Sequence, residues 1–135
     1  MKTYLLDTNA FIWALTDVDK LGKRAAEEIA NPNHKIYVSN VSLLECAIKI
    51  RTEKLKTSID FLAIDHFMTD NNMHHVSFDV WSARHYVNLP HLTWADPFDA
   101  ALIAQAIAKN MTLLTSDHHI LELQMAGLRL IDANI

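Results

Sequence analysis

The sequence predicts an α/β fold built on a central parallel sheet, and three observations predict it. Short β-branched or apolar runs recur along the chain, helix-forming stretches separate them, and several runs end abruptly in polar residues. Alternating strands and helices favour parallel pairing with right-handed crossovers. In a doubly wound sheet of order 3-2-1-4-5, the first and fourth strands are neighbours at the switch point. Open sheets of this kind bind ligands there, beyond the carboxyl ends of their strands.

The first strand, Thr3 to Leu6, is an apolar run bounded by polar residues, as expected of a strand buried on both faces. Apolar residues resume at Ala10, so a helix starts at Thr8 or Asn9. Asp7 then sits at the carboxyl end of a central strand, either as an active-site acid or, with Thr8, as a helix cap. Asp17 to Gly22 reads as a turn. Lys23 to Ala30 is helical and stops at the breaker Asn31-Pro32-Asn33. Lys35 to Ser39 is the second strand. A helix runs from Asn40 or Val41 to Thr52, with Val41, Leu44, Ala47 and Ile48 on one face. Ser58 to Asn71 is a further helix, His75 to Phe78 a short strand, and Asp79 to Leu89 a helix ending before Pro90. His91 to Ala95 is an irregular loop. Asp96-Pro97 opens a helix carrying Ala100 to Lys109, with proline in the first turn where its missing N–H costs nothing. Met111 to Thr115 is the fourth strand. A short helical piece over His118 to Met125 and a strand from Leu128 to Ile131 complete what reads as one domain, residues 1–135.

Bulk properties narrow the function. Half of the residues are hydrophobic and 21% are charged, ordinary for a globular protein. No apolar run approaches the ~18 residues of a membrane span, and no export signal opens the chain, so a cytoplasmic protein is expected. The single cysteine, Cys46, reads as a small buried residue. A net charge of −4 argues at first against nucleic acid. Set aside Asp7, Glu45, Asp96, Asp99 and Asp117, however, and eleven acids face twelve bases. If those five hold cations, the acidity is local and largely neutralised, and a nucleic-acid substrate is not excluded.

These five acids carry the chemistry. Asp7 and Asp117 follow the ends of strands that the topology makes neighbours. Glu45 lies one turn into its helix with Ser42 on the same face, and Asp96 and Asp99 stand at i and i+3 at the opening of theirs. All can reach one rim of the sheet. Like charges so gathered repel unless compensated, and Mg²⁺ or Mn²⁺, which take oxygen ligands and retain waters, are the natural compensation. Such a site can activate water for in-line attack on a phosphodiester, with Asn9, Thr115 and Ser116 orienting carboxylates or waters from behind. Each acid also has a plainer reading. Asp96 and Asp117 can cap helices, Asp99 can complete a capping box, and Glu45 can pair with Lys49.

In order, the stretches Leu5-Leu6-Asp7-Thr8-Asn9 with Trp13, Val41-Ser42-Leu43-Leu44-Glu45 on to Lys49, Asp96-Pro97-Phe98-Asp99 into Leu102–Ala106, and Leu113-Leu114-Thr115-Ser116-Asp117 resemble those of PIN-domain proteins. Specifically, they look like the VapC-type toxin ribonucleases of bacterial toxin–antitoxin systems. The resemblance implies a three-layer α/β/α domain and a Mg²⁺- or Mn²⁺-dependent endoribonuclease. It also implies a homodimer, held inactive by a cognate antitoxin lying along the helices. The family's acidic quartet maps onto Asp7, Glu45, one of Asp96 and Asp99 (Asp99 is favoured), and Asp117. The chain departs from the family pattern just before Asp96, where Ala95 stands in place of a basic residue.

Other features weigh less. The eight histidines lack metal-ligand spacing, although His118 or His119, beside Asp117, could touch substrate. Lys49, Arg51, Lys54 and Lys56 could grip an RNA backbone or simply be a solvated helix end. Trp13, Phe61, Leu62, Phe67 and Met68 fit core packing better than a partner groove. Competing with the ribonuclease are a non-catalytic PIN-like module that binds RNA or protein, and a DNA-directed nuclease with the same acids.

Overall fold

The structure, a computed structural model, describes residues 2–55 and 59–135. Five parallel strands, β1 (Thr3–Leu6), β2 (Lys35–Ser39), β3 (Met73–Val76), β4 (Thr112–Thr115) and β5 (Arg129–Asp132), form one sheet in the order β3-β2-β1-β4-β5. This is the predicted 3-2-1-4-5 order, with β1 central and paired on both sides. Leu5 stands opposite Tyr37 of β2 and Leu113 of β4.

Helices α1 (Thr8–Thr16), α2 (Lys23–Ala30), α3 (Asn40–Arg51), α4 (Phe61–Asp70), α5 (Val80–Val87), α6 (Pro97–Ala108) and α7 (His118–Leu121) make the crossovers. The period-two alternation of β1 feeds two cores. Tyr4 and Leu6 pack with Phe11 of α1, Ala25 of α2 and Ile64 and Met68 of α4, whereas Leu5 packs with Leu102, Ile103 and Ala106 of α6, Leu113 and Ile120. The result is three layers, α/β/α. Leu5, Leu6, Leu113 and Leu114 are fully buried, and each such side chain contributes about 1.5–3 kcal/mol of transfer free energy.

Several boundaries differ from expectation. The segment before Gly22 contains a 3₁₀ turn, Val18–Lys20. β3 starts two residues before the expected His75, because Met73 is buried opposite Ile36. The helix after β4 closes at Leu121 rather than Met125, its four residues spanning little more than one turn. α4 and α6 are followed by Asn72 and Asn110, both at positive φ, which asparagine tolerates better than most residues. The expected helix start at Ser58, and Lys56 of the basic run, lie outside the described residues.

One face is reversed. On α3 the apolar set Leu44, Ala47 and Ile48 points outward, with Leu44 56% exposed, while Ser42, Glu45 and Cys46 are buried. Cys46 is the small buried residue expected, its thiol pushed up to about 11, chiefly by burial. Among the described residues, no helix is long and apolar enough to cross a membrane.

Candidate active site

β1 ends at Leu6, and its last turn of chain places Asp7 on the carboxyl rim of the sheet. Asp7 is buried, 6% exposed, and both carboxylate oxygens are held. Oδ1 accepts the Ala10 N–H at 2.7 Å, and so caps α1. Oδ2 accepts the Thr115 hydroxyl at 2.7 Å and the Ser116 N–H at 3.0 Å, both from the end of β4. The two readings of Asp7 therefore coexist, since a carboxylate offers about four lone-pair positions. Burial pushes its carboxyl up; the Thr115, Ala10 and Ser116 hydrogen bonds oppose this, and the charge of Glu45 adds to the push. Thr8, weighed with Asp7 as a cap, does not cap α1.

Glu45 is also buried and held at both oxygens. The Thr8 hydroxyl donates to Oε1 at 2.5 Å, and the Lys49 ammonium lies 3.0 Å from Oε2. The Ser42 hydroxyl stands 3.1 Å from that of Thr8. Burial pulls Lys49 down, but the Glu45 hydrogen bond and charge, with the charge of Asp96, carry it above the usual lysine range. The expected pairing of Glu45 with Lys49 thus forms, but inside the site rather than on a solvated face. The role of Thr8 had no signal in the sequence, since its partner lies 37 residues away.

Asp96 and Asp117 are caps in the geometry seen. Asp96 Oδ1 accepts the Asp99 N–H at 2.8 Å, fixing the first turn of α6 ahead of Pro97 and its neighbours. Asp117 Oδ1 accepts the His119 and Ile120 N–H groups at 2.8 and 3.1 Å. Asn9 reaches across to the Ser116 hydroxyl at 3.4 Å, and the Thr115 hydroxyl accepts the Asp117 N–H at 3.1 Å. Of the remaining polar residues expected to orient the site, Ser42 serves Thr8, and Thr115 and Ser116 serve Asp7.

Asp99 differs from the other four. Its carboxylate has no hydrogen-bond or ion-pair partner among the described residues. It is pushed up to about 7, first by burial and then by Asp96, Asp117, Glu45 and Asp7 in that order. The other four acids named from the sequence are therefore within electrostatic reach of Asp99. They do not converge on a point. Among the described residues, no three His, Cys, Asp or Glu side chains stand close enough to grip a metal ion together. The donor chemistry nonetheless fits a hard divalent cation, because every donor is oxygen and Asp99 carries a charge its surroundings oppose. An imidazole–indole stack also borders the rim, Trp94 on His119 with centroids 5.3 Å apart and planes 20° from parallel.

The family described as PIN domain matches residues 4–124 of the sequence. No curated protein matches it. Solved structures share the fold. VapBC2 from Rickettsia felis, bound to a DNA fragment from its promoter, is 21% identical, with 96% of this chain and 98% of that chain covered and a TM-score of 0.69. VapBC-1 from nontypeable Haemophilus influenzae is 18% identical over 98% of this chain and 99% of that one, with a TM-score of 0.65. A PilT N-terminus domain protein from Sulfolobus solfataricus P2 is 15% identical over 97% and 87%, with a TM-score of 0.57.

Proposed function

The chain belongs to the PIN-domain family, and from that premise we propose that it is a divalent-metal-dependent endoribonuclease, the toxin of a toxin–antitoxin pair. The observation that carries this reading is the unpartnered Asp99 carboxylate, surrounded by Asp96, Asp117, Glu45 and Asp7. Carboxylates so placed repel one another, and a hard divalent cation would offset that repulsion. Asp7, Asp99 and Asp117 are the ligands in this reading, with Glu45 and Asp96 beside them. A bound Mg²⁺ or Mn²⁺ would supply an acidified water and a positive charge facing the phosphodiester.

The protein's own part is orientation. Thr115 and the Ser116 N–H aim Asp7, and Thr8 and Lys49 hold Glu45, so the carboxylates are fixed before substrate arrives. Lys49 leaves one ammonium among the acids, available to the substrate phosphate. Asp117 holds the start of α7 and Asp96 that of α6, which keeps both ends of the rim in register.

The antitoxin part of the proposal rests on surface. Ala14, Val18, Leu21, Ile29 and Phe67 form the apolar part of a depression between α1, α2 and α4 whose other side is lined by His34, Asp70 and Asn71, and Val18 is more than half exposed. Two of the structural relatives described above are VapBC proteins. The outward face of α3, with Leu44 and Ile48, supports a second copy of the chain as a further partner.

Cleavage of single-stranded RNA by the purified chain with Mn²⁺, abolished in Asp7→Asn, tests the assignment. Full activity in that variant contradicts it. One observation favours a second reading, a non-catalytic RNA- or protein-binding module: the carboxylates as placed do not close on one ion. Absence of both Mn²⁺ binding and RNA cleavage would favour that alternative. Cleavage of single-stranded DNA in preference to RNA of equal sequence would instead make the substrate DNA.

A further inference from the structure

We propose that the Trp94–His119 stack is a platform on which one nucleobase of the substrate stacks, placing the adjoining phosphodiester over the acidic rim. The inference rests on the nucleic-acid reading given above and specifies how the substrate is held. Trp94 lies two residues before Asp96 and His119 two residues after Asp117, so the pair joins the loop before α6 to the start of α7 directly beside two site acids. The rings are parallel to within 20° at 5.3 Å. Trp94 is half-buried and packs against the core beneath α6 and β4, while His119 is exposed. One side of the stack is thus anchored and the other is open.

The anchoring is local and strong. The Ala95 N–H donates to the Leu92 carbonyl at 3.2 Å and closes the turn carrying Trp94. Asp117 Oδ1 accepts the His119 N–H at 2.8 Å and fixes the backbone beneath the imidazole. A platform held on both sides loses little conformational entropy when a base lands on it.

The chemistry of the rim explains why stacking is needed. The carboxylates of the rim repel phosphate until a cation offsets them, and Ala95 contributes no charge ahead of Asp96. A nucleobase brings a flat, neutral π face that the acids do not repel, and single-stranded RNA is commonly bound through bases stacked on aromatic or histidine rings. Such contacts cost about 5- to 150-fold in affinity when the ring is replaced by alanine.

The test is binding of a short fluorescent single-stranded RNA, followed by anisotropy in Ca²⁺, to the wild-type chain, His119→Ala and His119→Phe. The expected result is a loss of affinity of about 5- to 150-fold in His119→Ala and near-wild-type affinity in His119→Phe. Replacing the nucleotides one at a time by abasic ones should find one position that weakens wild-type binding by a similar factor and leaves His119→Ala binding unchanged. Equal affinity of all three proteins, or abasic losses that are the same in His119→Ala as in wild type at every position, would overturn the platform. A chain that binds RNA in this base-dependent way yet cleaves none overturns the proposed function alone. A chain that cleaves RNA with no base dependence at His119 overturns the platform alone.

Discussion

Two aspartates at helix openings, Asp79 before α5 and Asp99 in the first turn of α6, have opposite fates. Asp79 caps its helix through Ser82 and meets the Lys109 ammonium, and the Lys109 hydrogen bond, followed by the Ser82 N–H, holds its carboxyl down at about 2. Asp99 has burial and four other carboxylates around it and is pushed up to about 7. The chain therefore has the means to neutralise an acid at such a position, and supplies them at α5. At α6 it does not. A carboxylate left uncompensated amid others is what the proposed cation site calls for.

The strongest way to break this comparison is at Asp7, the acid most tightly held into the rim. Asp7→Asn should lower RNA cleavage by more than about 100-fold, beyond what loss of a supporting residue costs, while its far-ultraviolet circular dichroism stays that of the wild type. Thr115→Val removes the hydroxyl that aims Asp7 and accepts the Asp117 N–H, and should lower Mn²⁺ affinity or activity by about 10- to 100-fold. Wild-type values in either variant would detach Asp7 from the chemistry.

Acid–base behaviour sharpens the contrast. Asp99 titrates near 7 in the folded chain and near 3.8 when unfolded, so the folded state binds more protons between those values. Without metal, stability should fall as pH rises from about 4 through 7 and then level off. Denaturation of Asp99→Asn across that range should show a shallower slope, the remainder belonging to Asp7, whose carboxyl burial also pushes up, and Mn²⁺ should restore wild-type stability above pH 7. Asp79 runs the other way. Its contribution is complete above about pH 4 and is lost as pH falls through about 2, so the stability gap between wild type and Asp79→Asn should close there, with cleavage unchanged at pH 7. The smallest effect belongs to Asp96. As the cap of α6, Asp96→Ala should cost about 0.5–2 kcal/mol in thermal unfolding, whereas Asp96→Asn, whose amide oxygen still accepts the Asp99 N–H, should keep near-wild-type stability with cleavage within a few fold.

Much of this arrangement was legible before the structure. The abrupt change from Leu6 to Asp7 marks a strand end because an apolar run buried on two faces must stop where water begins. Strand alternation then supplies β4 as its neighbour, and with it the approach of Thr115 and Ser116 to Asp7. The orientation of α3 was not legible. Of its apolar set, Val41 packs against the core while Leu44, Ala47 and Ile48 turn outward, although that helix period ordinarily faces a core. Glu45 and Ser42 take the inside because Thr8 and Lys49 satisfy the buried carboxylate. Nor could spacing bring Trp94 to His119, 25 residues apart and joined only by the packing of α6 against β4. The plainer readings of Asp7, Asp96 and Asp117 as caps were correct as geometry. Capping and ligation use different lone pairs, so the one does not exclude the other.

The central claim, that the charge left uncompensated around Asp99 is reserved for a divalent cation, is tested most directly by calorimetric titration of the purified chain with Mn²⁺ at pH 6 and pH 8. Binding should be saturable, tighter at pH 8 and accompanied by proton release at pH 6, lost in Asp99→Asn and kept in Asp79→Asn. No saturable binding at either pH, or equal binding by Asp99→Asn, would contradict it.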